Sequence, residues 1–243
     1  MDATPEKVLI VLHQERSTPG RVGQALRRRG YALDIRRPCL GDPLPATLAG
    51  HAGGIIFGGP MSANDKDDFI RREIDWIDVP LREQAPFLGI CLGAQMLVRN
   101  LGGRVDSHPD GYAEVGYYPV RPTPAGAELL DWPEMVYQWH REGFRVPRDA
   151  TLLAEGELFE HQAFSFGPAA YGVQFHAELT LAMVHRWTVH GAHRMDLPGA
   201  QPRRAHFEGR GVYDPPVRQW LEDFLDVWLN RDPRRLQLAG AAE

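Results

Sequence analysis

Phe87-Leu88-Gly89-Ile90-Cys91-Leu92-Gly93-Ala94-Gln95 is the stretch on which the fold of this 243-residue chain turns. A short apolar run enters Gly-x-Cys-x-Gly and leaves it directly as a helix. That is the shape of a nucleophile elbow, with cysteine where serine often stands. The turn is tight, so Gly89 and Gly93 must admit close backbone, and the residue at its apex is held in a strained conformation. Cys91 then opens the following helix, whose positive end favours a thiolate. A free cysteine is otherwise commonly a small buried apolar group. The flanking glycines and the strand-to-helix switch make Cys91 a candidate nucleophile.

Upstream of the elbow, Val8 to Leu12 reads as a buried strand and Val22 to Arg29 as a helix stopped at Gly30. Tyr31 to Arg36 reads as a second strand, followed by a Pro-rich connection from Pro38 to Pro45. Gly53 to Phe57 is a third strand, ended by Gly58-Gly59-Pro60. Phe69, Ile70, Ile74, Ile77 and Leu81 recur at helical spacing and predict one helix over Asp67 to Leu81. Downstream, Leu92 to Leu101 is a helix closed by Gly102-Gly103. This alternation predicts an α/β fold: an open, mostly parallel, flavodoxin-like central sheet flanked by helices. The second half changes character. Val115–Val120, Met135–Trp139, Thr151–Ala154, Ala163–Phe166 and Gly172–Phe175 are short strand-like runs that predict added antiparallel strands. Thr180 to Val189 and Val217 to Leu229 read as helices, and His190 to Pro216, which shows no periodicity, as an irregular surface excursion. The simplest division is a single domain over 1–243, with a core of about 7–190 and a C-terminal helical extension over 191–243.

Bulk properties narrow the function. The chain is 43% hydrophobic and 24% charged, close to globular averages, and its formal net charge of −5 argues against nucleic acid or an anionic membrane as partner. Arg27-Arg28-Arg29 reads as a solvated helix end. The two cysteines, Cys39 and Cys91, are far apart and form no CxxC pair, so neither a disulfide framework nor a cysteine zinc site is expected. A reducing, cytoplasmic setting follows. The N-terminus has no cationic n-region, and Val8–Leu12 is too short for a signal peptide or a membrane span. His185, His190 and His193 cluster in sequence without an HExxH pattern, so helix-face or loop histidines are expected and no metal or cofactor.

Two further segments supply what a thiolate needs. Gly172-Val173-Gln174-Phe175-His176-Ala177-Glu178 reads as a strand ending in His-x-Glu. On an extended backbone Glu178 would share a side with His176 and orient its imidazole. Phe57-Gly58-Gly59-Pro60 turns a strand with two glycines, which exposes backbone N–H groups suited to an oxyanion. Each segment alone also fits a bland reading, a satisfied histidine or an ordinary turn.

Taken together and in this order, Gly-Gly-Pro, Gly-x-Cys-x-Gly-x-Gln and His-x-Glu resemble the class I glutamine amidotransferases. Tyr137 to Phe144 with Val146-Pro147 is similar to the loop before the last strands in amidotransferase domains related to GMP synthase. Glu114 to Val120 is similar to the strand preceding that loop. Ala94 and Ala177 depart from the usual histidine and proline, neither of them in the triad. The resemblance implies Cys91 as nucleophile, His176 as general base and then acid, and Glu178 as the third member. It implies an oxyanion hole from the backbone N–H groups of Gly59 and Leu92. It also implies a substrate grip from Gly58, Gln95 and the main chain around Trp139, His140 and Arg141. Glutamine is then the expected substrate, hydrolysed through a γ-glutamyl thioester. With no ATP-binding loop in the chain, a separate ATP-dependent synthetase chain would use the ammonia, or the enzyme would act alone on another γ-glutamyl small molecule. A γ-glutamyl peptidase is the alternative enzyme, and a non-catalytic redox sensor or binding module is the alternative of another class.

Overall fold

The computed structural model describes residues 6–230. Its elements begin with β1 (Lys7–Val11), α1 (Gly20–Arg28), β2 (Ala32–Arg36) and β3 (His51–Ile56). Next come α2 (Asp68–Trp76), α3 (Asp78–Arg82), β4 (Phe87–Ile90), α4 (Leu92–Asn100) and β5 (Arg104–Ser107). The second half holds β6 (Glu114–Pro119), β7 (Arg121–Pro122), α5 (Pro124–Leu129), β8 (Met135–His140), β9 (Glu142–Arg145) and β10 (Thr151–Glu155). The series closes with β11 (His161–Phe166), β12 (Ala170–Val173), α6 (Leu181–His190), a 3₁₀ turn (Ala192–Asp196) and α7 (Arg203–Asn230).

Eight strands form the main sheet in the order β2-β1-β3-β4-β12-β11-β10-β7. The first five are mutually parallel, and β11, β10 and β7 continue the sheet antiparallel. The parallel part repeats the 2-1-3-4-5 order of doubly wound sheets, which bind ligands outside the carboxyl ends of their strands. β1 shows why such strands are apolar throughout. Val8, Ile10 and Leu12 enter one core with α1 and α7, while Leu9 and Val11 enter the other with α2, α3 and α4.

The α/β class with added antiparallel strands is as the pattern predicts, but five local expectations change. The helix expected over 67–81 is two helices: Pro80 has no N–H for the Trp76 carbonyl, and the ladder is interrupted at Ile77, whose N–H turns to Ile74 O (3.3 Å). The run 172–175 is not purely antiparallel, because β12 lies parallel to β4 on one side and antiparallel to β11 on the other. The 137–144 segment is not a loop but the end of β8 and most of β9. β8 pairs with β6, and β9 with β5, in two-stranded ribbons outside the main sheet. Finally, 203–216 is helical and continuous with the expected last helix, despite Pro215 and Pro216 inside it. Buried side chains explain that continuity: the Tyr137 hydroxyl meets His206 Nδ1 at 2.8 Å, and Gly209 lies where a Cβ would stand 2.6 Å from the Tyr117 ring. The last difference concerns His176, which follows the end of β12 by three residues in a turn, not on a strand.

Candidate active site at the carboxyl ends of four strands

β1, β3, β4 and β12 all end on the same edge of the sheet, and the residues just past them are His13, Gly58-Gly59, Cys91 and His176. Cys91 has φ 52° and ψ −105°; among the described residues only Gln84 shares a positive φ outside glycine. The strain is held from all sides. The Cys91 N–H donates to Val173 O (2.8 Å), its carbonyl accepts from Gln95 N–H (3.0 Å), and both flanking glycines are sterically obligatory. A Cβ on Gly89 would lie 2.5 Å from the Gly93 carbonyl, and one on Gly93 would lie 2.0 Å from Ile56 O.

His176 is set opposite. Its N–H donates to Tyr137 O (2.9 Å), its Nδ1 donates to Glu178 Oε1 (2.7 Å), and the Trp187 ring packs edge-on at 4.8 Å. Nε2 is buried and, among the described residues, meets no hydrogen-bond partner. Burial alone would depress the imidazole pKa, but the charges of Glu178 and Cys91 outweigh it and raise the value to about 10. The turn carrying Glu178 is clamped from α1. The Arg21 N–H donates to Glu178 O (2.8 Å), and the Arg21 guanidinium donates to Ala177 O (3.3 Å) and to both oxygens of Asp214 on α7 (2.8 and 2.9 Å). Gly20, at φ 51°, permits this approach, since a Cβ there would lie 2.2 Å from Glu178 O.

The Gly58-Gly59 turn closes the third side. A Cβ on Gly58 would stand 2.9 Å from His176 Cε1 and 3.4 Å from Cys91 Cβ, so the turn sits directly against the pair. Gly59 lies against the Leu92 side chain, 3.1 Å from its Cδ2 by the same measure. Behind the turn, His13 Nδ1 donates to Gly58 O (3.2 Å) and Nε2 meets Glu73 Oε2 (2.8 Å), both side chains fully buried. Because a trans peptide points its C=O and N–H in opposite directions, tying the Gly58 carbonyl to His13 turns the Gly59 N–H away from His13.

Gln95, Trp139, His140 and Arg141 line a small recess together with Cys91, Gly59, Leu92 and Arg194. Their side chains are not equivalent. Gln95 Nε2 donates to Glu142 O (2.8 Å) and Gln174 Oε1 (3.2 Å), leaving its oxygen uncommitted. Both ring nitrogens of His140 are taken, by Glu142 O and by Glu114 Oε2 (each 2.9 Å). A cavity of about 610 Å³ that also reaches Cys91 is lined by Gly58, Trp139, His176, Met183, Arg186, Trp187 and Arg194, among others. Among the described residues no group of His, Cys, Asp and Glu side chains is placed to hold a metal, and no helix is long and apolar enough to cross a membrane. His185 packs on the Phe207 ring instead.

Sequence reasoning missed His13, Glu73, Arg21, Asp214 and Arg194. The position of His13, immediately past an apolar strand, is a readable signal. The other four depend on elements whose packing no local pattern reports.

An open α/β sheet with a strained cysteine elbow facing a His–Glu pair defines the class of protein. Residues 17–186 match the class-I glutamine amidotransferase family, and the chain belongs to that family. It is 29% identical over 231 residues to the glutamine amidotransferase-like protein YfeJ of Salmonella typhimurium, covering 90% of this chain and 96% of that one. Against a GMP synthase of Porphyromonas gingivalis it is 34% identical over 144 residues, covering 57% of this chain but only 27% of that protein. A solved glutamine amido transferase from Methylobacillus flagellatus superposes with TM-score 0.87 at 26% identity, covering 94% and 96% of the two chains. A glutamine amidotransferase from Thermotoga maritima gives TM-score 0.83 at 28% identity, with 93% and 99% covered.

Proposed function

We propose that this protein is a cysteine-dependent glutaminase of the amidotransferase type. Cys91 attacks the γ-amide carbon of glutamine, and the backbone N–H groups of Gly59 and Leu92 receive the developing oxyanion. His176 delivers its proton to the departing ammonia, leaving a γ-glutamyl thioester on Cys91. Water, deprotonated by His176, then releases glutamate. Glu178 keeps the proton on Nδ1 and stabilises the imidazolium. In magnitude, a positioned acid–base contributes about 10²–10⁴-fold in rate and one oxyanion donor about 10²–10³-fold.

The observation that carries this reading is geometric: an elbow cysteine held at φ 52° stands beside a buried His176 whose Nδ1 is tied to Glu178 Oε1 at 2.7 Å, and the charges of Glu178 and Cys91 raise the imidazole pKa against burial. Gly58, Gln95 and the main chain from Trp139 to Arg141 hold the amino-acid end, with the free Gln95 oxygen suited to an ammonium group. The whole chain acts as one catalytic unit in a reducing, cytoplasmic setting. It passes ammonia to a separate ATP-dependent synthetase chain or works alone on a γ-glutamyl compound. The second reading, a γ-glutamyl peptidase, draws on the 610 Å³ cavity, which lies within the range of about 300–1,000 Å³ common for small-molecule sites and far exceeds the needs of ammonia.

The test is ammonia release from glutamine by the wild type and by Cys91→Ala, with mass spectrometry of quenched enzyme. Activity lost in the variant and a γ-glutamyl mass on Cys91 are expected. Undiminished activity in Cys91→Ala overturns the mechanism, and cleavage of γ-glutamyl peptides without glutamine hydrolysis turns the assignment to the peptidase.

A further inference from the structure

Arg194 is an unusual cation. It is half-buried on the 3₁₀ turn after α6, and it is the residue besides Gly59, Pro60, Cys91 and Trp139 that lines both the small recess and the large cavity. Among the described residues no carboxylate forms an ion pair with it. The acids that line the two spaces are otherwise placed: Glu178 is bound to His176, Glu15 is on the exposed rim, and Glu142 makes no ion pair among the described residues. Burial lowers the Arg194 pKa, the charge of Cys91 opposes that, and nearby Arg141 adds to it. The turn that carries it is fixed. The Arg194 N–H donates to Gly191 O (2.9 Å), and Gly191 packs so closely that a Cβ would stand 2.7 Å from the Trp139 ring.

A guanidinium that is partly desolvated, rigidly carried and without an acidic partner lacks the anion that would offset its desolvation. The two spaces it borders converge on Cys91, so an anion there belongs to whatever reacts with the thiol. We infer that Arg194 is a specificity residue that binds a substrate carboxylate beside Cys91. A planar fork matched to two carboxylate oxygens fits such a group better than a point charge would. Two substrate carboxylates could fill the position: the α-carboxylate of the glutamyl part, from the recess, or a carboxylate on the leaving amine, from the cavity. The inference rests on the γ-glutamyl reading only for which of these is used.

The first experiment needs no turnover. Alkylation of Cys91 is followed by mass spectrometry with iodoacetate and with neutral iodoacetamide, in wild type, Arg194→Ala, Arg194→Lys and Arg141→Ala. The iodoacetate-to-iodoacetamide rate ratio is expected to fall about tenfold or more in Arg194→Ala, the size of one charge-assisted hydrogen bond, and less in Arg194→Lys. An unchanged ratio in Arg194→Ala, or a loss confined to Arg141→Ala, overturns the inference. The second experiment compares glutamine, γ-glutamylmethylamide and γ-glutamylglycine. A KM increase in Arg194→Ala for all three assigns the α-carboxylate, and an increase for γ-glutamylglycine alone assigns the leaving group. An Arg194-dependent alkylation ratio in an enzyme that cleaves none of the three leaves the carboxylate site standing and removes the glutaminase reading. Cleavage with KM unaffected by Arg194→Ala for every substrate overturns the inference while the glutaminase reading survives.

Discussion

His176 carries two opposing pressures, and their balance sets how the site should respond to pH. Its protonated form persists through neutrality and is lost as pH rises through about 10, because the pKa is raised and not lowered. Glu178→Gln removes one of the two raising charges. The alkaline limb of the kcat/KM profile should therefore move to lower pH, with a lower plateau; an unmoved limb would exclude this ion pair from catalysis. Gly59 is a second residue-scale lever. A methyl there would meet His13 Cβ at 2.8 Å and Leu92 Cδ2 at 3.1 Å, so Gly59→Ala must displace the turn. Loss of one oxyanion donor predicts a kcat about 10²–10³-fold lower with a much smaller change in KM. Equal changes in both would assign Gly59 to substrate binding. Cys91, His176 and Glu178 were legible as residues from sequence, but the reason given for the His–Glu contact was not the one realised. A turn clamped by Arg21, not an extended strand, brings Glu178 to Nδ1.

At the scale of elements, α1, α7 and the turn after β12 meet at one ionic knot. Asp214 accepts two hydrogen bonds from Arg21 and is also approached by Arg210 (3.4 Å) and Arg218 (3.0 Å). Both Arg21 and Asp214 are buried, so deleting the acid strands a buried guanidinium. Asp214→Ala should cost about 3–5 kcal/mol in urea unfolding. Because the Arg21 side chain also donates to the Ala177 carbonyl in the turn that carries Glu178, its kcat should fall further than the stability loss alone explains when measured well below the midpoint. Normal kcat in the folded variant would show that the knot is structural only. None of this was visible in the sequence. Gly209, Gly211, Pro215 and Pro216 erase the helical period over 203–216, while in the fold His206 and Gly209 are buried against the β6–β8 ribbon and Asp214 against Arg21 of α1.

Across the whole molecule, α7 completes the core on one face of the sheet instead of trailing from it. Trp220, Phe224, Leu225 and Trp228 belong to the same apolar cluster as Val8, Ile10 and Leu26, and Trp228 lies against Gly53 of β3. Trp228→Ala should therefore cost about 3–5 kcal/mol, measured by thermal or urea denaturation, while leaving KM for substrate unchanged at temperatures where the variant is folded. A cost below about 1 kcal/mol would mean that α7 is not part of the cooperative unit.

Local signals in the chain sufficed for the parallel sheet, the elbow and, at its carboxyl edge, Gly58-Gly59, Cys91 and His176, though not for His13. These rest on short-range causes: apolar β-branched runs that must be buried on both faces, and glycines without which the turn at Cys91 cannot close. Only the tertiary structure decided that His13 and Glu73 stand behind the Gly58 carbonyl and that Arg21 and Asp214 hold the Glu178 turn. The same holds for Arg194, left without an acid between two spaces that open on Cys91. Those arrangements join segments between 45 and 193 residues apart in the chain, and such contacts are set by how whole elements pack, which no local period or spacing records. At Cys91, neighbouring glycines set the backbone strain, and the fold set the groups around it.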